Sequence, residues 1–330
     1  MNGVPPEAQL WRLVRGAMGT QALKVVADAR IADALASGAR PVDELAAEAG
    51  LEPDALYRFL RALATDGVFA EGETRVFRNT PASELLRTDG EQRWHEFALQ
   101  FARDWYTAFA EAPAAARTGE AVFPLVFGVD FEERLRNEPN ALALFNRSME
   151  AGANERIERI ANLPWSDEVV VDVGGGTGSM LIELLRRNPR LRGVLFDLPE
   201  VVMEARPRVE ATEVSERCEL VAGSFHDAVP AGDAYVLSRI LHGMDDERAA
   251  GILQNVRRAA HPRARVLIFD SVVPQGNEPH GSKWLDLLML VLSGGRERTE
   301  DEWRRLLARE GLEPERLEDG LVEAAIGQKK

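Results

Sequence analysis

The sequence predicts an α/β protein in which a helix-covered parallel sheet follows a mainly helical N-terminal region holding a winged helix-turn-helix. Three observations carry that fold class. From about residue 164 onward, runs rich in Val, Leu and Ile alternate with helical stretches, the texture of a parallel sheet covered on both faces. The first of those runs ends in a cluster of glycines that opens a helix, where doubly wound sheets bind ligands. Upstream of residue 164 the apolar residues recur mostly at three- and four-residue spacings.

Taken in order, residues 8–38 read as helices, with Leu10, Leu13, Val14, Met18, Leu23, Val26, Ile31 and Leu35 at helical spacings. That apolar load is high for a surface helix and predicts packing against another domain or subunit. Residues 41–86 read as a short helix, a turn at Gly50, a second helix over 53–65 and two short strands around Glu71–Gly72–Glu73, a helix-turn-helix with a wing. Residues 91–163 read as all-helical and rich in large apolar side chains. Beyond them come strands at EVVVDVG, RGVLFDLP, CELVAGS, DAYVLSRILHG and ARVLIFDSVVP, with a helix between each pair except the third and fourth, then a helix at EDEWRRLLAREG and a last strand near LVEAAIG. The expected division is 1–90, 91–163 and 164–330: a small N-terminal module, a helical linker that walls a substrate pocket, and a ligand-binding domain.

Composition narrows the function. The 330 residues are 45% hydrophobic and 28% charged, ample for a globular core. Lys and Arg number 40 against 54 Asp and Glu, and a net charge of −14 repels phosphate backbones. In the winged module Arg58, Arg61, Arg75 and Arg78 are balanced by Asp54, Asp66, Glu71 and Glu73, so no basic stripe faces a DNA groove. A single cysteine, Cys218, excludes a disulfide framework and a thiolate metal site. The opening residues lack an apolar signal core, and no run approaches the roughly 20 apolar residues of a membrane span. The expectation is a soluble cytoplasmic protein that binds neither nucleic acid, membrane nor metal.

The strongest local signal is VVVDVGGGTGSM, residues 169–180. Gly174, Gly175, Gly176 and Gly178 let the backbone turn sharply and bring its amides against a ligand. A dinucleotide fingerprint would place Gly or Ala at position 179, where this chain has Ser179. Asp197, at the end of the next strand and about 20 residues on, suits a ribose diol. Spacing alone leaves nicotinamide cofactors and S-adenosylmethionine both open.

These segments, with GSFHDAVPAGDAYVLSRILHGMDDERAAGIL, LIFDSVVP and LLMLVLSGGRERTEDEWRRLLAREGL, resemble the ordered motif set of S-adenosylmethionine-dependent O-methyltransferases. The similar subgroup is that of plant caffeic acid O-methyltransferases and bacterial antibiotic-tailoring methyltransferases. The resemblance spans residues 10–328 and implies a Rossmann-like methyltransferase domain behind a winged-helix-like module that dimerises, hence a homodimer. It assigns the glycine loop to the methionine moiety, Asp197 and Leu198 to the ribose side, Ser224 and Phe225 to adenine, and Ser238 and Arg239 to further cofactor contacts. The family often has aspartate where Ser224 stands.

Methyl transfer to a phenol needs a base, since a phenol of pKa near 10 is barely ionised at neutral pH and histidine is a suitable acceptor. Of five histidines, His95, His226, His261 and His280 lie in polar or loop contexts, whereas His242 follows the apolar stretch YVLSRIL. The resemblance makes His242 the general base, with Asp270 and Glu297 holding its ring. Gly243 and Met244 stand where the family has Asp-Trp, and Asp270 where glutamate is more usual. Trp105, Phe109, Phe127, Phe145, Met149, Trp284 and Met289 are expected to form an apolar slot for a planar phenol or similar secondary metabolite. Rival readings are a relative with drifted chemistry (N-methylation or a non-methylating reaction), a winged-helix regulator that responds to a small molecule, and a dehydrogenase.

Overall fold

The computed structural model describes residues 5–327 apart from 91 and 167. The chain divides into two compact units. One holds the chain up to Thr107 together with Leu135–Gly152, and the other holds Ala108–Arg134 and everything from Ala153 onward. The expected helical linker over 91–163 is therefore not a body of its own. Its helices are shared between the units, because Ala108–Arg134 and the helix Ala153–Ala161 pack with the C-terminal domain.

In the first unit, helices Val42–Ala49 and Pro53–Thr65 are joined at Gly50 and accompanied by a small antiparallel sheet of β1 (Arg40–Pro41), β2 (Phe69–Glu71) and β3 (Val76–Asn79). The second helix starts where its sequence says it should. Glu52 accepts hydrogen bonds from the amides of Asp54 and Ala55, and Pro53 occupies a first-turn position that needs no N–H. Its Leu56, Leu60 and Leu63 face a core completed by Ile31, Val42, Leu45, Phe69 and Phe77. Arg75 is held by Asp43 and Asp54, each at 2.8 Å. The helix Pro6–Val14 buries none of its residues, and Leu10, Trp11, Leu13 and Val14 are all more than half exposed, as is Met18 on the next helix, Gly16–Asp28.

The second unit is built on a sheet that has seven strands among the described residues. They are β4 (Val169–Val173), β5 (Arg192–Asp197), β6 (Cys218–Ala222), β7 (Gly232–Ser238), β8 (Ala260–Phe269), β11 (Leu312–Glu318) and β12 (Leu321–Ile326), in the order β11-β12-β8-β7-β4-β5-β6. A separate parallel pair joins β9 (Val272–Val273) to β10 (Arg298–Thr299). The strands from β8 to β6 are parallel, and β12 and β11 add antiparallel at one edge. The sheet is thus mixed rather than wholly parallel. β11 reads LEPERLE, too polar and too proline-interrupted to announce a strand, and it is an edge strand with an irregular register at Pro314.

Side chains alternate between the two faces, as a pleated strand requires. Val171, Val173, Tyr235, Leu237, Val266 and Ile268 pack with Ile252, Leu253, Val256, Trp303 and Leu306 on one side. Val170, Leu195, Val236, Leu267 and Phe269 pack with Leu181, Ile182, Leu185 and Val209 on the other. Both faces being buried explains why these strands read as continuous apolar runs. Strand order reverses at β4, with β5 and β6 on one side and β7 and β8 on the other. That reversal is the position at which open α/β sheets leave a crevice beyond their carboxyl ends. No helix among the described residues is long and apolar enough to cross a membrane.

Candidate active site

The site grows from the carboxyl ends of the parallel strands, with one further segment, residues 295–298, supplied after the helix Ser282–Ser293. The glycine loop follows β4 and opens the helix Ser179–Arg187. Gly174 has a positive φ of 71°, and a Cβ there would collide with Ile240 Cδ1 and approach Phe225 Cε1 at 3.6 Å. The loops after β4, β6 and β7 thus converge at a point where only glycine fits. Gly176 donates its N–H to Asp197 Oδ2 at 2.9 Å, and Leu198 donates to Asp197 Oδ1 at 2.7 Å. Those two bonds orient the carboxylate at the end of β5 and leave lone pairs for a diol. Burial pushes the Asp197 carboxyl upward against the pull of both amides.

Beneath the loop lies Asp172, which sequence reading passed over as part of the strand. It is 1% exposed, and neither oxygen has a hydrogen-bond partner among the described residues. Its Oδ2 lies 2.9 Å from where a Cβ on Gly175 would stand. Burial, and then the charge of Asp197, push it up to about 7. An acid inside the apolar run VVVDV was the available signal.

After β6, Ser224 Oγ accepts from the His226 amide at 3.2 Å, and the Phe225 ring packs on His226 with centroids 4.7 Å apart. Asn255, buried on the helix Asp246–Ala259, donates to the carbonyls of Phe225 and His226 at 2.9 Å each and fixes this loop. Ser238 ends β7, and Arg239 follows it in a left-handed conformation with φ 56°.

His242 sits four residues beyond β7 on a short 3₁₀ turn, Leu241–Gly243, and is 7% exposed. Its Nδ1 lies 2.7 Å from Glu297 Oε1. A carboxylate only accepts, so Nδ1 carries a proton, and Nε2 is the nitrogen left with a lone pair whenever the ring is neutral. Asp270, just past β8, takes a different part from the one expected. Its Oδ2 accepts from the His242 main-chain N–H at 3.0 Å, so it holds the backbone while Glu297 alone holds the ring. Burial pushes Asp270 up, opposed chiefly by His242.

The segment carrying Glu297 is laced to the histidine turn. Arg296 donates its amide to His242 O at 2.8 Å, and the Glu297 amide donates to Asp286 Oδ1 at 2.8 Å. Arg298, fully buried, donates to Leu241 O at 2.9 Å and Met244 O at 3.0 Å, and pairs with Asp246 at 2.9 Å. Its guanidinium lies 5.2 Å from the centroid of the Trp303 ring. Sequence reading missed Arg298, because the partners of a lone arginine beside Glu297 are backbone carbonyls that no pattern marks. A Cβ on Gly295 would collide with His242 O, so only glycine permits this approach. Gly243, where the family has Asp, has open space at its Cβ position, and Met244 is buried in the core where the family has Trp.

Of the residues expected to line an acceptor slot, Trp105, Phe145 and Met149 fall in the first unit, and Phe109, Phe127, Trp284 and Met289 in the second. Trp105 is 3% exposed and meets Phe97 and Phe101 edge-on at 5.9 and 5.7 Å. Phe127 packs on Phe123 at 4.4 Å. Met289 is buried on the helix Ser282–Ser293, whereas Trp284 on the same helix is 65% exposed.

Two stability measurements check this geometry. Gly295→Ala is expected to cost roughly 1–3 kcal/mol because main chain must move, while Gly243→Ala stays within about 0.5 kcal/mol; equal losses in urea unfolding would contradict the lacing. For Asp172 the folded carboxyl stays protonated while the unfolded one ionises, so it lowers stability increasingly between about pH 4 and pH 7. The melting temperature of Asp172→Asn minus that of the wild type therefore rises from pH 4.5 to pH 8, and a difference independent of pH would contradict the burial of an unpaired acid.

Comparison with known proteins matches two segments of the chain. Residues 106–313 match the O-methyltransferase domain and residues 11–89 the O-methyltransferase dimerisation domain. The chain is 39% identical over 320 residues to a phenazine O-methyltransferase of Lysobacter antibioticus, covering 96% of this chain and 94% of that one. It is 35% identical over 310 residues to 3-amino-4-hydroxybenzoate 4-O-methyltransferase of Streptomyces cremeus, covering 92% and 85%. Among solved structures, an O-methyltransferase of neocarzinostatin biosynthesis, in complex with S-adenosylmethionine and 2-hydroxy-5-methyl naphthoic acid, superposes with a TM-score of 0.80. It is 32% identical and covers 93% of this chain and 95% of that one. Matching domains over most of the chain and a Rossmann-like sheet with its glycine loop place it in one family: the chain belongs to the S-adenosylmethionine-dependent O-methyltransferases.

Proposed function

We propose that this enzyme methylates a phenolic hydroxyl of a small aromatic secondary metabolite, with His242 as the general base. The observation that carries the reading is the buried His242–Glu297 pair at 2.7 Å, held at the carboxyl edge of the sheet two residues beyond Ile240, which closes over the glycine loop. The cradle fits the donor. Gly174, Gly176 and Gly178 all have positive φ, and Asp197 is oriented by the loop it would share with the ribose. Gly175, Leu198, Ser224, Phe225, Ser238 and Arg239 complete the set of residues that would hold it. Bound S-adenosylmethionine supplies an already activated methyl group.

The protein's own chemistry is then alignment and proton removal. Nε2 of His242 takes the proton of the acceptor hydroxyl and leaves its oxygen free to receive the methyl group, which the donor would give up with cleavage of its sulfur–methyl bond. Glu297 keeps the Nδ1 proton in place and stabilises the imidazolium that forms. Asp270 and Arg298 hold the main chain of the turn, so the ring does not swing away as its charge changes. Trp284, with Leu287 one turn on, presents exposed apolar surface against which a planar acceptor can lie. Phenazine and hydroxybenzoate chemistry in the relatives supports a planar aromatic acceptor.

The N-terminal unit supports a homodimer. Its exposed Leu10, Trp11, Leu13, Val14 and Met18 form an apolar surface too concentrated for a free face, and it lies within or just before the segment that matches a dimerisation domain.

His242→Ala is expected to leave S-adenosylmethionine affinity by calorimetry nearly unchanged and to lower the methylation rate roughly 10²- to 10⁴-fold. The loss shrinks for more acidic phenols, and the limb of the rate profile that rises with pH disappears. A variant with the wild-type rate and pH profile would remove His242 from the mechanism. The double change Trp11→Glu, Leu13→Glu is expected to give a monomer in light scattering at micromolar concentration; a dimer of unchanged stability would place the interface elsewhere.

A further inference from the structure

Asp286 is a lone acid in an apolar stretch of helix. It is half-buried on the helix Ser282–Ser293, where it interrupts the run LDLLMLVL. Its Oδ1 accepts the Glu297 main-chain N–H at 2.8 Å, the one hydrogen bond its carboxylate makes among the described residues. No cation among them lies within ion-pair distance of it. The guanidinium of Arg296, one residue before Glu297, turns instead to Glu302 at 2.7 Å and Asp246 at 3.7 Å.

Anchoring a loop does not require this charge. An asparagine oxygen would accept the same amide without the desolvation of an ion. Burial pushes the Asp286 carboxyl up, the bond from Glu297 N–H opposes the rise, and the charge of Glu297 adds to it. Arg296 and Glu302, the latter on the helix Glu300–Arg309, act on it with opposite signs.

What hangs on that amide sets the position apart. The Glu297 side chain holds His242 Nδ1 at 2.7 Å, and the amide just before it, Arg296 N–H, reaches His242 O at 2.8 Å. Two successive amides therefore take different anchors, one on the turn that carries His242 and one on the helix. Between them they fix the point from which Glu297 reaches the ring. The other charged groups bonded to this turn are Asp270, which accepts from the His242 amide at 3.0 Å, and Arg298, which donates to Leu241 O and Met244 O. Asp286 places a second carboxylate behind Glu297.

We propose that Asp286 is a positioning residue for the base: it fixes the main chain from which Glu297 reaches His242, and its charge favours the imidazolium that forms when the ring takes a proton. The inference rests on the reading of His242 as the base.

The test needs neither acceptor nor turnover. Full-length protein with carbon-13-labelled histidine rings, loaded with S-adenosylhomocysteine, is titrated by NMR from pH 5 to pH 9, and the His242 signal is the one missing from His242→Ala. In Asp286→Asn the Glu297 amide keeps an acceptor and only the charge is lost. Removing a nearby anion disfavours the imidazolium, so the midpoint of the His242 signal is expected to fall by roughly 0.5–1 pH unit. The Nδ1–H proton signal of the bond to Glu297 stays visible. In Asp286→Ala the amide is stranded as well, so the midpoint falls further and the Nδ1–H signal broadens or disappears. If the alanine variant does not fold, the asparagine midpoint alone decides. A merely structural role would lower the melting temperature of both variants without moving either ring signal, and would overturn the proposal. So would an Asp286→Asn midpoint equal to that of the wild type. Because the ring is read directly, an unmoved titration refutes the role of Asp286 and leaves the base to be judged by the His242→Ala rate. Moved signals beside a His242→Ala enzyme of wild-type rate would refute the base, and with it the purpose assigned to Asp286.

Discussion

The site depends on the contact between two short segments, the turn at 241–244 and the strand-like run at 295–298. Four interactions cross it: Arg296 N–H to His242 O, His242 Nδ1–H to Glu297, and the Arg298 guanidinium to Leu241 O and Met244 O. Three of the groups involved, His242, Glu297 and Arg298, are buried ionisable side chains, which depend on the hydrogen bonds they make here, although Glu297 Oε2 has no partner among the described residues. Removing one partner would leave another charge stranded, so the cluster acts as a unit. Its order is fixed from below by the core, where Met244, Trp303 and Leu241 are buried among the residues of β7 and β8.

That arrangement separates two duties. Asp270 and Arg298 grip main chain, and Glu297 grips the ring. In the proposed mechanism the base must change charge in each turnover without shifting its own position, and backbone anchors independent of the ring's protonation state would achieve that. It also explains how the turn tolerates Gly243 and Met244. Neither side chain of the family's Asp-Trp is needed to hold the loop when Arg298 reaches the carbonyls on either side of His242.

Much of this was legible in the sequence, and the physical reason is locality. The glycine loop, Asp197 and His242 each end or follow an apolar strand run, and a strand's end is visible in the chain itself. The helix at 53–65 was legible because its cap, its Pro53 and its apolar spacing all lie within it. The linker division at 91–163 and the strand β11 were not, since both are decided by what distant segments pack against. Asp270 shows the same limit at the scale of one residue. Its position at the end of β8 was readable, but whether it bonds the ring or the amide of His242 is set by a three-dimensional register of two strand ends. Arg298 and Asn255 were invisible for that reason too, because each acts by reaching carbonyls of other loops.

The remaining constraint is electrostatic. Four carboxyl groups, Asp172, Asp197, Asp270 and Glu297, gather at one edge of one sheet, and burial pushes three of them, Asp172, Asp197 and Asp270, toward the neutral form. A donor that carries a sulfonium and an ammonium is favoured by that field, and its product, having lost the sulfonium charge, is favoured less. Such attraction stabilises the bound ground state and does not by itself speed transfer. Ionising Asp172 would deepen it on the donor side, and its elevated pKa keeps much of that charge off near neutral pH. In the proposed mechanism the rate is then left to the groups on the other side, where Glu297 would stabilise charge that develops only when His242 takes a proton. On that proposal donor binding and proton removal fall to different carboxylates, one pair at the ends of β4 and β5 and the other tied to the turn after β7.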